Sequence, residues 1–227
     1  MTRLVQEDLR QQLRTYLVMG SANCLVDPAA VLEEAIRGGI TMFQYREKGS
    51  GARQGSERLA LGWELRELCR THGIPFIVND DIELALALEA DGVHIGQEDE
   101  PAADVRKRIG RLILGVSAHT VDEADRAIQD GADYLGLGPI YPTSTKLDAR
   151  PVQGLELIRK LRQQGITIPL VGIGGITPDN ASPVIAAGAD GVAVVSAITQ
   201  AANVREAAGL LNEQVMRGAL EHPANLN

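Results

Sequence analysis

The chain has 227 residues, of which 44% are hydrophobic and 23% charged, with a formal net charge of −8. Such a composition builds a globular protein with a large core and excludes extended disorder. The acidic balance, with only 3% aromatics, argues against nucleic acid or anionic membranes as partners.

No apolar run approaches the ~20 residues that span a bilayer, and the first dozen residues are polar, with no signal-peptide core. Cys24 and Cys69 show neither metal-ligand nor redox spacing and read as reduced thiols. The expectation is an acidic cytoplasmic protein.

Val5 to Arg14 predicts a short amphipathic helix with Leu9 and Leu13 on one face. A first strand follows at Tyr16–Met19. Asp27 then caps a helix that has Pro28 at its first position and stops at Gly38-Gly39. Ile40–Tyr45 is the second strand, and a long helix carrying Trp63, expected to be packed, ends near Gly73. The third strand, Pro75–Val78, leads directly into Asn79-Asp80-Asp81 and a helix over 82–89. Gly92–Ile95, Leu112–Val116, Tyr134–Leu137, Ile168–Val171 and Gly191–Val195 supply strands four to eight, and a final helix runs from Ser196 to about Met216.

Strands alternating with helices at this spacing imply parallel βαβ units. Eight of them predict a TIM (β/α)8 barrel over residues 15–217, with a helical extension at 1–14 and a polar tail at 218–227. A repeat supports this organisation. Glu89-Ala90-Asp91-Gly92, Gly131-Ala132-Asp133-Tyr134 and Gly188-Ala189-Asp190-Gly191 share one pattern, and Gly38-Gly39-Ile40-Thr41 is a looser copy. The copies precede the even-numbered strands, so the chain repeats as βαβα.

In such a barrel the C-terminal strand ends carry the chemistry. Strand two ends in Gln44-Tyr45-Arg46-Glu47-Lys48, where alternation sends Gln44, Arg46 and Lys48 to one side. Those cations either meet an anion or pair with Glu47 and neighbouring acids. Asp80 and Asp99 follow adjacent strands and suit a Mg²⁺ ion that also binds phosphate oxygens; helix capping is the competing reading of Asp80. Asn79 offers a neutral hydrogen-bond partner, and His94 lies at the end of strand four. Strand six delivers Thr143-Ser144-Thr145-Lys146 to a loop of phosphate-handling or catalytic type. Glycines after strand seven and Val195-Ser196 after strand eight form a phosphate cup, or the glycines simply serve tight turns.

Taken in order, Gln44-x-Arg46-x-Lys48, Val78-Asn79-Asp80, Val93-His94-Ile95-Gly96-Gln97-x-Asp99, Gly115-x-Ser117-x-His119-Thr120, Gly138-Pro139-Ile140-Tyr141-Pro142-Thr143-x-Thr145-Lys146, Gly174-Gly175-Ile176 and Ser196-Ala197-Ile198 resemble the thiamine-phosphate synthase family. The resemblance runs from about Tyr16 to Leu211. It implies that 4-amino-5-hydroxymethyl-2-methylpyrimidine diphosphate joins a thiazole ethyl phosphate, with or without a 2-carboxylate lost as CO2, to give thiamine phosphate and pyrophosphate. It also implies roles. Arg46, Lys48, Ser117 and Lys146 are the expected catalytic groups. Gln44, Tyr45, Arg46, Glu47, Lys48, Asn79, His94, Ser117 and Lys146 would hold the pyrimidine diphosphate. Thr143, Ser144, Thr145, Gly175, Val195 and Ser196 would hold the thiazole phosphate, and Asp80 and Asp99 the Mg²⁺ cofactor. A homo-oligomer is compatible with the sequence. Rival readings are a thiazole-phosphate tautomerase or regulatory paralogue, a Schiff-base aldolase using Lys48 or Lys146, and a non-catalytic phosphate-binding module.

Overall fold

The computed structural model describes residues 3–143 and 151–221. Its strands are β1 (Thr15–Met19), β2 (Met42–Tyr45), β3 (Phe76–Asn79), β4 (Gly92–Ile95), β5 (Ile113–Ala118), β6 (Tyr134–Leu137), β7 (Leu170–Ile173) and β8 (Gly191–Val194). They pair in parallel in sequence order, and β8 closes onto β1. Parallel strands require long crossovers, supplied by α2 (Pro28–Arg37), α3 (Gly55–His72), α4 (Ile82–Ala87), α5 (Ala102–Ile109), α6 (Val121–Gln129), α7 (Glu156–Gln163) and α8 (Pro178–Ala186). This is the expected (β/α)8 barrel. No helix among the described residues is long and apolar enough to cross a membrane.

Strand alternation splits the apolar residues into two layers. Leu17, Phe43, Phe76, Val93, Leu114 and Leu135 point outward to the helices, whereas Tyr16, Val18, Met42, Ile77, Tyr134, Val171 and Ala193 fill the barrel. Leu9 and Leu13 are buried with the inner set. The helix that carries Leu9, α1 (Arg3–Gln12), therefore closes the N-terminal end of the barrel. The approach is tight, because a Cβ built on Gly191 would lie 1.8 Å from the Leu13 carbonyl oxygen.

The sequence repeat has a physical basis. Asp91, Asp133 and Asp190 each accept, at about hydrogen-bond length, the first free N–H of the preceding odd strand: Phe76 at 2.8 Å, Leu114 at 2.8 Å and Leu170 at 2.8 Å. An arginine from the helix before that odd strand completes each clamp. Arg106 reaches Asp133 at 2.6 Å and Arg162 reaches Asp190 at 2.6 Å, while Arg66 lies 3.7 Å from Asp91. The looser copy works with a neutral side chain, since Thr15 N–H donates to Thr41 Oγ1 at 2.9 Å. Asp190 also accepts from Arg10 of α1 at 2.9 Å, so the third clamp anchors the plug.

Two expectations need correction. The final helix is two helices, α9 (Ser196–Thr199) and α10 (Val204–Leu220), because Asn203 leaves the helical conformation and caps α10 by accepting from Glu206 N–H at 3.1 Å. Trp63 is 43% exposed on α3 instead of packed.

Replacing Asp190 by alanine removes the counter-ion of Arg162 and the acceptor of the Leu170 N–H in a half-buried site. We expect a loss of about 3 kcal/mol, read as a lower urea midpoint. A loss no greater than that of a surface substitution, under ~0.5 kcal/mol, would show that the clamp is incidental.

Candidate active site

The C-terminal strand ends open into a mouth rimmed by half-buried Asn79, His94, Ser117, Gly175, Val195 and Ser196. Its floor is polar. Gln44 Nε2 donates to the Tyr16 hydroxyl at 2.8 Å, the Tyr16 and Tyr134 hydroxyls bond at 2.9 Å, and Tyr134 contacts His94 Nδ1 at 2.9 Å. His94 Nε2 then meets Ser117 Oγ at 2.9 Å. Burial holds both phenols above their ordinary range, so both stay protonated. A glycine makes this possible: a Cβ at Gly115 would sit 2.3 Å from the Tyr134 hydroxyl and 2.4 Å from His94 Nδ1.

The acidic pair is separated from helix capping by the backbone. Asp81, not Asp80, caps α4: it accepts from Leu84 N–H at 2.9 Å and from Arg58 at 2.8 Å. Asp80 adopts a left-handed backbone, φ 62°, a conformation uncommon outside glycine and frequent where a site constrains the chain. Its N–H donates to the His94 carbonyl at 2.9 Å, and its carboxylate takes Lys48 Nζ at 2.7 Å. Asp99 accepts from Gly96 N–H at 2.7 Å. Burial pushes the Asp99 carboxyl up from the carboxylate range; the Gly96 bond opposes this, and the neighbouring Asp80 carboxylate adds to it.

Two carboxylates held against each other suit a hard divalent cation. No group of three metal-ligating side chains occurs among the described residues.

Within the segment 44–48, Tyr45 and Glu47, both expected to hold the pyrimidine diphosphate, turn away from the mouth. β2 ends at Tyr45, whose ring packs outward among the helices and whose hydroxyl donates to the Arg58 carbonyl at 2.8 Å. Glu47 is buried and accepts from Ser21 N–H at 2.7 Å, the Ser21 hydroxyl at 2.5 Å and Arg53 N–H at 2.7 Å. It ties two loops together, so neither side chain faces the mouth. Gln44 lies on the floor. Arg46 forms no ion pair with a described residue, while Lys48 is exposed and paired with Asp80.

On the far side of the mouth, Gly174 and Gly175 have φ 96° and 65°, and a Cβ on Gly175 would lie 2.4 Å from the Pro142 carbonyl oxygen. The tight-turn reading of these glycines therefore holds by itself. The same turn packs their backbone against Tyr141 and Pro142, directly before Thr143. Ser144, Thr145 and Lys146 lie outside the described residues. His119 is bound to α6, its Nδ1 at 3.1 Å from Glu123. Tyr16 and Tyr134 were missed from sequence because an aromatic in a strand reads as core; a tyrosine in place of phenylalanine at two inward positions was the available signal. A groove of about 660 Å³ between α6 and α7 holds none of the predicted site residues.

Comparison with known proteins points the same way. Residues 15–198 match the family model described as thiamine monophosphate synthase. A thiamine-phosphate synthase of Bacillus velezensis is 58% identical over 217 residues, covering 96% of this chain and 97% of that protein. Its counterpart from Geobacillus kaustophilus is 56% identical over 95% of this chain and 97% of that protein. Among solved structures, the thiamine phosphate pyrophosphorylase of Pyrococcus furiosus superposes with a TM-score of 0.84 at 39% identity, covering 93% of this chain and 99% of that one. A structure titled native KDPGal, at 17% identity and TM-score 0.65, shares the fold alone. The chain belongs to the thiamine monophosphate synthase family.

Proposed function

We propose that the chain condenses 4-amino-5-hydroxymethyl-2-methylpyrimidine diphosphate with thiazole ethyl phosphate, giving thiamine phosphate and pyrophosphate in the cytoplasm. The observation that carries this reading is the arrangement around Asp80, where capping has been delegated to Asp81 and two carboxylates face each other beside Lys48. Nothing in the fold needs that concentration of charge. A diphosphate does. The family and its relatives supply the substrate identities.

Asp80 and Asp99 would hold Mg²⁺, which when bound supplies charge neutralisation for a diphosphate leaving group. Arg46 and Lys48 bind the diphosphate oxygens from the other side, Lys48 exchanging part of its contact with Asp80 for the substrate. Gln44, Asn79 and Ser117 hold the pyrimidine diphosphate in place. Thr143, Gly175, Val195 and Ser196 hold the thiazole phosphate across the mouth, and the resemblance adds Ser144, Thr145 and Lys146.

The aminopyrimidine donates electron density towards its methylene carbon. The C–O bond breaks with its electron pair leaving on the diphosphate oxygen, and the lone pair of the thiazole nitrogen forms the new C–N bond. No proton changes hands, so no general base and no nucleophilic side chain is required. The protein's contribution is leaving-group stabilisation and alignment of the two substrates. An aldolase role for Lys48 is disfavoured, because a Schiff-base lysine is desolvated and Lys48 is exposed and salt-bridged.

Pyrophosphate release should require the pyrimidine diphosphate, the thiazole phosphate and Mg²⁺ together. Saturable thiazole-phosphate binding with no release under any condition would make the chain a binding or regulatory protein instead. Arg46→Ala should cut turnover on the order of 100-fold or more while leaving the urea midpoint unchanged, since the guanidinium has no partner among the described residues.

Asp99→Asn separates site from scaffold. A carboxyl whose folded pKa is raised makes the ionised fold less stable as pH climbs through that value, so at neutral pH the amide should hold or raise the unfolding midpoint. Turnover should nonetheless fall on the order of 100-fold to 1,000-fold. A destabilised variant that keeps its activity would assign Asp99 to the scaffold.

A further inference from the structure

The polar floor can be read as a chain with a direction. Five side chains from five strands are linked end to end: Gln44, Tyr16, Tyr134, His94 and Ser117, with every contact between 2.8 and 2.9 Å. Each hydroxyl carries one proton, so the bonds cannot be oriented independently. Gln44 Nε2 donates to the Tyr16 oxygen, and that oxygen's own proton then needs an acceptor. Among the described residues the acceptor available is the Tyr134 oxygen. The proton of Tyr134 is accordingly left for His94 Nδ1, which must be unprotonated to accept it. In the neutral ring the proton then sits on Nε2 and is donated to Ser117 Oγ.

The opposite polarity fails on the count. If His94 Nδ1 donated to Tyr134, and Tyr134 to Tyr16, the Tyr16 oxygen would accept twice. Its own proton would be buried with no partner, and a fully buried hydroxyl left unpaired is costly. Neither phenol relieves this by ionising, since burial holds both above their ordinary range. The tautomer of His94 is thus set at the far side of the barrel by the amide of Gln44.

We propose that this directional chain fixes His94 as the Nε2–H tautomer and turns the Ser117 hydroxyl proton outward into the mouth, making Tyr134 and Tyr16 positioning residues for Ser117. Ser117 Oγ is occupied as an acceptor by His94, so its proton is directed to an acceptor beyond the chain. In the reaction proposed above, on which the functional half of this inference rests, that acceptor is an oxygen or ring nitrogen of the pyrimidine diphosphate. The chain also places Gln44 and Ser117, two of the groups assigned to one substrate, at opposite ends of a single polarised path. The close contact of Tyr134 with His94 is available because Gly115 has no Cβ, which gives that glycine a role in the site besides strand packing.

The test begins with the substrate-free full-length protein, uniformly labelled with ¹⁵N, and two-bond ¹H–¹⁵N correlations of its four imidazoles. The His94 signal is assigned by its loss in His94→Asn. The expected result is a neutral ring protonated on Nε2 with a hydrogen-bonded, unprotonated Nδ1; a ring protonated on Nδ1 would mean a reversed Gln44 amide and would overturn the proposal. Tyr134→Phe, which keeps the ring and deletes the donor, should let the second tautomer appear. It should also lower kcat/KM for the pyrimidine diphosphate about tenfold, the loss of one oriented hydrogen bond, with KM for thiazole phosphate unchanged. In the Ser117→Ala background the same substitution should add no further loss, whereas independent, multiplying losses would refute the coupling. The spectroscopic arm needs no substrate. A chain with the expected tautomer but no pyrophosphate release would therefore overturn the proposed reaction and leave the hydrogen-bond direction standing.

Discussion

A closed eight-stranded barrel encloses a column that side chains have to fill, and the rest of this structure follows from how the column is filled. Its lower part is apolar, with Leu9 and Leu13 sealing the end below Met42, Ile77 and Val171. Its upper part carries hydroxyl, amide and imidazole groups that would be expensive to bury singly. They are tolerable because each is bonded to the next across the barrel. The result is a rigid polar floor under an open mouth, and the chemistry is built on that floor.

Rigidity below is matched by regularity outside. The three Arg–Asp clamps and the Thr15–Thr41 bond fix where each βαβα unit begins, and hence the height at which each even strand enters the barrel. Strand height decides which residues emerge at the opposite end. A clamp at Asp91 sets the level of His94 three residues later, and the clamp at Asp133 sets the level of Tyr134. Scaffold and site are connected through the few residues of one short strand.

The mouth also resolves the tension between a net charge of −8 and two anionic substrates. Several acidic residues on the outer helices pair with neighbouring arginines, as in Arg37 with Glu33 and Glu34 or Arg70 with Glu67. Inside the mouth the balance is local. Arg46 has no counter-ion among the described residues, and the two carboxylates opposite Lys48 form a concentrated negative spot fit for a cation. Fields at this range are set by the lining groups, not by the total.

The barrel was legible in the sequence because strand and helix periods, capping residues and a fourfold repeat all agree. Asp27 with Pro28, Gly73 after a long helix, and the three Ala-Asp copies each declare a boundary through local backbone chemistry. Order along the chain likewise determined that Gln44, Asp80, Asp99 and Ser117 emerge at strand ends on one face. What local pattern left open was decided by contacts between elements distant in sequence. Two adjacent aspartates looked alike until α4 took Asp81 as its cap and Arg58 bound it. Glu47 resembled a pocket residue until Ser21 and Arg53 claimed its carboxylate. The segment 196–216 is helical by composition, and only Asn203 divides it. Tyr16 and Tyr134 are 118 residues apart, so nothing along the chain relates them. Sequence periodicity reports which face a side chain is on; which partner it meets there is fixed only when the sheet closes.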